Sequence, residues 1–135
     1  MHVQRLDHVN IRTHDLDATR DFYVDVIGLQ VGARPPFAVP GLWLYDETAA
    51  VIHVIGLDPD EPPVHGSGTI DHVAFRVVGV NAMRERIRRA RVAAEEAVVP
   101  RTGDVQIFVR DPNGVKIELN FSAADLALEA ELAAH

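Results

Sequence analysis

The chain has 135 residues, is 47% hydrophobic, carries a net charge of −7 and contains no cysteine. That is enough apolar material for one compact domain, or for two small halves sharing a core. The acidic balance argues against a general nucleic-acid binder, and without thiols there are no disulfides and any metal must be held by His, Asp or Glu.

Met1–Arg5 lacks the apolar core of a signal peptide, and no run is long enough to span a bilayer. A cytoplasmic protein with no membrane partner is therefore expected. Residues 4–12 read as a strand, with Leu6, His8, Asn10 and Arg12 on one side and Asp7, Val9 and Ile11 on the other. Asp15 and Asp17 suit a helix N-terminus, and Thr19, Phe22, Tyr23 and Val26 share one helical face that Gly28 is placed to end. Residues 29–34 predict a strand, broken by the Pro35–Gly41 loop. Strands over 42–45 and 50–55 follow, around a turn at Asp46-Glu47-Thr48.

Residues 57–68 are rich in Pro, Gly and acids and predict a linker. Beyond it the pattern restarts. A strand over 69–77 precedes a helix capped near Asn81, with Val80, Met83, Ile87 and Ala90 on its buried face. Strands over 94–100, 105–110 and 115–121 follow, the last two joined by the tight turn Asp111-Pro112-Asn113-Gly114. From Ser122 a capping box with Asp125 opens a helix over 122–134, with Leu126, Ala130 and Ala133 as a packing or dimer-contact stripe.

Leu6-Asp7-His8-Val9-Asn10-Ile11-Arg12 recurs as Ile70-Asp71-His72-Val73-Ala74-Phe75-Arg76, at an offset of 64 residues (72 − 8). Toward the end of each half the offset is 65, so that His53 falls on Glu118 (118 − 53). One extra loop residue between helix and hairpin accounts for the change. The expected fold is α+β: two βαβββ modules, 4–56 and 69–121, forming a curved mixed sheet around a cleft, plus a C-terminal helix.

Four polar residues stand at equivalent places in the two halves: His8, His53, His72 and Glu118. A lone strand histidine is more often hydrogen-bonded than metal-bound, and a lone glutamate is usually solvated. Duplication argues otherwise, because chance rarely aligns four such donors. Three neutral imidazoles and a carboxylate suit a divalent ion such as Zn, Ni, Co, Mn or Fe, with room for substrate oxygens. Arg34 and Arg101 are candidates for holding an anionic substrate, and Trp43, Phe37 and Phe108 for lining a pocket mouth, although core packing is the default for aromatics. The run Arg84, Arg86, Arg88, Arg89 and Arg91 reads as a solvated helix face. His14 and His65 are left without a role.

These motifs resemble the vicinal oxygen chelate superfamily, which includes glyoxalase I, extradiol dioxygenases and bleomycin-binding proteins. The likeness covers residues 5–121 and rests on the two Asp-His-Val openings, on Asp21–Leu29 and on Asp111–Leu119. It implies a divalent metal held by His8, His72 and Glu118, with His53 at the fourth position, where glyoxalase I has glutamate. It implies a small substrate chelated through adjacent oxygens, Glu118 as the candidate catalytic residue or else metal-bound hydroxide to move the proton, and a homodimer in which sites can draw on two chains. Extradiol dioxygenases use a tyrosine upstream of the glutamate; the corresponding strand here carries Phe108. Fosfomycin-type enzymes use an arginine after it, and none follows Glu118. The epimerase of the superfamily differs at Asp111–Gly114. The expectation is thus a glyoxalase-like lyase or isomerase, with a ferrous dioxygenase or a non-catalytic antibiotic-binding protein as alternatives.

Overall fold

The computed structural model describes residues 1–135, which divide into two units, Met1–Val64 and His65–His135. The first contains β1 (Val9–Thr13), α1 (Leu16–Asp21), β2 (Gln30–Gly32), β3 (Gly41–Tyr45) and β4 (Ala50–Gly56). Its sheet runs β1-β4-β3-β2, with β1 parallel to β4 and the other pairs antiparallel. The Asp15 carboxylate accepts the Ala18 amide at 2.9 Å, capping α1 where the acidic residues predict a helix start. The helix continues as a wider π-helical turn over Phe22–Ile27 and stops at Gly28, whose φ of 96° suits a residue without a side chain.

Thr19, Phe22, Tyr23 and Val26 are all buried, so the predicted face is the one that packs. Against it lie Ile11 and Thr13 of β1, Leu44 of β3, and Ile52 and Val54 of β4, likewise buried. Strand alternation leaves Asn10, Arg12, Trp43 and His53 on the opposite, more open face. The first strand is shorter than expected and begins at Val9 rather than residue 4. Val9 pairs with Ile52, the third residue of β4, so by register the chain before Asp7 runs past the end of its partner. Leu6 is accordingly exposed.

The second unit contains β5 (Val73–Arg76), α2 (Val80–Ala90), β6 (Glu95–Val98), β7 (Val105–Arg110), β8 (Lys116–Phe121) and α3 (Ala123–Ala133). The order β5-β8-β7-β6 repeats the first sheet, again with one parallel pair. Its core joins Val80, Met83 and Ile87 of α2 to Ile107, Val109, Ile117, Leu119 and Phe121 of the sheet. The two halves thus make an α+β fold of two four-stranded mixed sheets. The change of offset is visible in the ladders. Asn10 pairs with His53 as Ala74 does with Glu118, and Trp43 pairs with His53 as Phe108 does with Glu118.

Three expectations for this unit need correction. Ala90 is exposed, because it is the last residue of α2 and the chain reverses at Arg91, in the left-handed region. Asn81 does not cap α2. Gly79 precedes the helix, and the amides of Val80 and Asn81 donate to the Glu129 carboxylate of α3 at 3.0 and 3.2 Å. Ser122 does cap α3, accepting the Asp125 amide at 3.1 Å, but Ala130 and Ala133 are exposed and Leu126 only half-buried, so within this chain the stripe is not a packing face. That helix is held by polar contacts, through Glu129 and through the Ala123 amide on Asp104, rather than by an apolar stripe. No helix is long and apolar enough to cross a membrane.

Candidate functional site

His8 immediately precedes β1, two residues before Asn10, which pairs with His53. The two imidazoles stack with centroids 3.7 Å apart and planes 13° apart. Trp43, directly across the β3–β4 ladder, covers the other face of His53 at 3.9 Å and 9°. His53 is therefore the middle ring of three. Burial pushes its imidazole below the ordinary histidine value, and the neighbouring His8 adds to that, with a smaller contribution from Arg34.

In the second unit His72 immediately precedes β5, and its Nε2 lies 3.8 Å from Glu118 Oε1. Glu118 is 7% exposed and both of its oxygens are engaged. Gln106 Nε2 donates to Oε1 at 2.9 Å, and Asn120 Nδ2 to Oε2 at 2.8 Å. Phe108, paired with Glu118 across the ladder, presents itself edge-on to His72 at 6.5 Å and 85°.

Asp7 and Asp71 join the candidate site, although strand alternation places them on the opposite face. Both precede the first ladder residue, so the alternation does not bind them. His8 Nδ1 donates to Asp7 at 2.6 Å, and His72 Nδ1 to Asp71 at 2.8 Å. Those hydrogen bonds are the main cause holding both aspartates below the usual carboxylate range. Each engages Nδ1 and leaves Nε2 as the ring nitrogen not held by the aspartate, the arrangement that orients metal-ligating histidines. The repeated Asp-His dipeptide was the available signal. Gln106 and Asn120 were also missed; Asn120 lies two residues beyond Glu118 and pairs with Gln106.

Three imidazoles and one carboxylate, without thiolate, fit a borderline divalent ion. The structure brings these donors together as two pairs, His8 with His53 and His72 with Glu118, and no three His, Asp or Glu side chains converge within either unit. Arg34 stands beside the first pair, over Phe37 at 5.1 Å. Arg101 does not join the second. It lies in the turn after β6, beyond the Val105–Phe121 pair, three ladder positions from Phe108 and Glu118. His14 has a partner after all, the Glu61 carbonyl at 3.0 Å, and exposed His65 packs its ring against Gly114 in the Asp111–Gly114 turn. In the basic run, Arg84 grips Glu96 with two bonds while Arg88 and Arg89 share Glu85, as a solvated face would.

Residues 5–119 match the model of the Glyoxalase/Bleomycin resistance protein/Dioxygenase superfamily. The chain belongs to that superfamily. It is 34% identical over 122 residues to a lactoylglutathione lyase of Haemophilus influenzae, covering 82% of this chain and 87% of the relative. It is 30% identical over 130 residues to the mitochondrial methylmalonyl-CoA epimerase of Bos taurus, covering 85% and 73%. An epimerase thus stands among its relatives. The fold is similar to a glyoxylase/bleomycin resistance protein/dioxygenase domain from Frankia sp. EAN1pec, with a TM-score of 0.75 at 16% identity over 90% of this chain and 93% of that one.

Proposed function

We propose that this protein is a metal-dependent lyase or isomerase of the glyoxalase type, moving a proton on a small substrate bound through adjacent oxygens. The observation that carries the reading is Glu118: a nearly buried carboxylate, gripped on both oxygens by neutral amides and facing an Asp-supported histidine. Gln106 and Asn120 donate one hydrogen bond to each of its oxygens and fix its orientation. A buried, oriented carboxylate beside a carbon acid is a general base, and it can return the proton to the neighbouring carbon or oxygen. His8, His53, His72 and Glu118 are the residues that would hold the ion. When bound, it would polarise the substrate oxygens and stabilise negative charge developing on them.

Similarity to both a lyase and an epimerase supports proton transfer as the common step, since neither elimination nor epimerisation involves net oxidation. The test combines elemental analysis of the purified protein, melting with added nickel, zinc or iron, and assay of hemithioacetal isomerisation against oxygen uptake with catechols. Uptake of an ion with a raised melting temperature, and isomerisation abolished in Glu118→Gln, is the expected result, because a ligand confined to the native state must stabilise it. Oxygen uptake instead would make the protein a dioxygenase.

A second reading, capture of a flat molecule without chemistry, is favoured by the Trp43–His53–His8 stack, whose faces suit planar ligands. An unchanged melting temperature with every metal, together with binding of an aromatic compound, would select it.

A further inference from the structure

We propose that Arg34 selects the substrate, receiving a carboxylate attached to a flat apolar body that rests on Phe37 and Trp43. This deepens the reading above and rests on the same open face of the first sheet, but it needs neither metal nor turnover to be tested. Arg34 is half-buried just after β2. Its guanidinium lies over the Phe37 ring at 5.1 Å, and Phe37 in turn is 6.5 Å from Trp43. One NH2 bond, to the Val39 carbonyl at 2.8 Å, holds the group in place.

The guanidinium also packs against Gly41, where any side chain would run into it and into the Val54 carbonyl. Gly41 stands two residues before Trp43 on β3, so the cation is kept about one side-chain repeat, roughly 7 Å along the strand, from the Trp43–His53 pair. An arginine anchored this way costs little further entropy when it binds an anion, since its plane is already set.

What it lacks is a counter-ion. The chain has 20 acidic residues against 13 basic ones, yet no carboxylate pairs with Arg34, and its one partner is a neutral carbonyl. The guanidinium carries five N–H donors, of which the Val39 contact uses one. Phe37 beside it is 56% exposed, a large apolar side chain left in solvent next to an unpaired cation. Cation, exposed ring and stacked indole together match an organic anion with an aromatic or branched hydrocarbon body, not a neutral sugar or a polyphosphate. Planar fork geometry favours carboxylate, which accepts two parallel N–H bonds.

Trp43 is the only tryptophan, so its fluorescence reports this face alone. The experiment titrates chelator-treated protein with phenylacetate and with phenylacetamide, isosteric probes that differ in charge. We expect saturable quenching with phenylacetate preferred at least tenfold, a preference lost in Arg34→Gln, partly kept in Arg34→Lys, and weakened by salt. Equal affinity for acid and amide, or an undiminished preference in Arg34→Gln with native circular dichroism, would overturn the assignment. If acid is preferred but no metal binds, this inference stands and the metal-dependent reading falls; metal uptake without the preference gives the reverse.

Discussion

Gln106 Nε2 donates to Glu118 Oε1 at 2.9 Å from the neighbouring strand, making a half-buried amide the direct support of a buried carboxylate. Removing that donor leaves one oxygen of a buried charge without a partner inside the protein, which costs about 1–3 kcal/mol. Gln106→Leu should therefore lower unfolding stability by about that amount in a urea titration, and lower kcat more than it raises KM if Glu118 moves the proton. Gln106→Glu should be worse, since it sets a second carboxylate against the first. A Gln106→Leu protein of unchanged stability and turnover would remove Glu118 from its proposed place.

The two Asp-His contacts lead to a prediction with the opposite stability outcome. Asp7 and Asp71 are highly exposed, so Asp7→Asn and Asp71→Asn should leave the metal-free protein's stability unchanged. Each substitution weakens the hold on Nδ1, and loss of such a support lowers metal affinity by roughly 10–100-fold. Competition of the protein with a chromophoric chelator for zinc or nickel measures it directly. The His8–His53 stack adds a second signal. A ring nitrogen donates in the plane of its ring, so two stacked rings direct their lone pairs in parallel, and sharing one ion requires them to turn. Trp43 fluorescence should change as the ion enters. Wild-type affinity in both variants would separate the aspartates from metal binding.

The parts of this design that were legible in the sequence were those with a period. The Asp-His-Val repeat, the Thr19-Phe22-Tyr23-Val26 face and the shift from 64 to 65 each survive as register or burial in the structure. What periodicity misjudged lies where tertiary contacts decide. Asp7 reaches His8 because no ladder partner holds it on the other face. Glu129 caps α2 from a helix 48 residues downstream of Asn81, a contact no local pattern announces. Gln106 and Asn120 became visible only once the β7–β8 register set them beside Glu118.

His53 gives the pH dependence. Burial, then His8, push its imidazole below the ordinary histidine value of 6.5, so the unfolded chain takes up the proton first as pH falls. The contribution of the neutral, stacked ring is therefore fully present above about pH 6.5 and is lost progressively as pH falls from there through the lowered folded value. In the metal-free protein the His53 ring signals should titrate below pH 6.5 by NMR. His53→Gln should flatten that part of the stability profile relative to wild type. A His53 midpoint at or above the ordinary value would mean that the ring is solvated and the stack open.

Glu129 tests the attachment of the C-terminal helix. Its carboxylate accepts the amides of Val80 and Asn81, two of the donors that an α-helix leaves unsatisfied at its start, and Gly79 offers no side chain to replace it. Glu129→Ala should cost about 1–2 kcal/mol, combining the loss of a cap with the loss of a negative charge at the positive end of α2. Leu128 and Leu132 are exposed, so little apolar contact would then hold α3 in place. Its amides should exchange faster with solvent, and proteases should cut after Phe121 sooner, while those of β7 and β8 keep their protection. Glu129→Gln, which retains an acceptor, should recover part of the stability but not the charge contribution. If α3 keeps its protection in Glu129→Ala, apolar contact rather than this carboxylate anchors the helix, and the predicted loss should shrink to that of an exposed substitution.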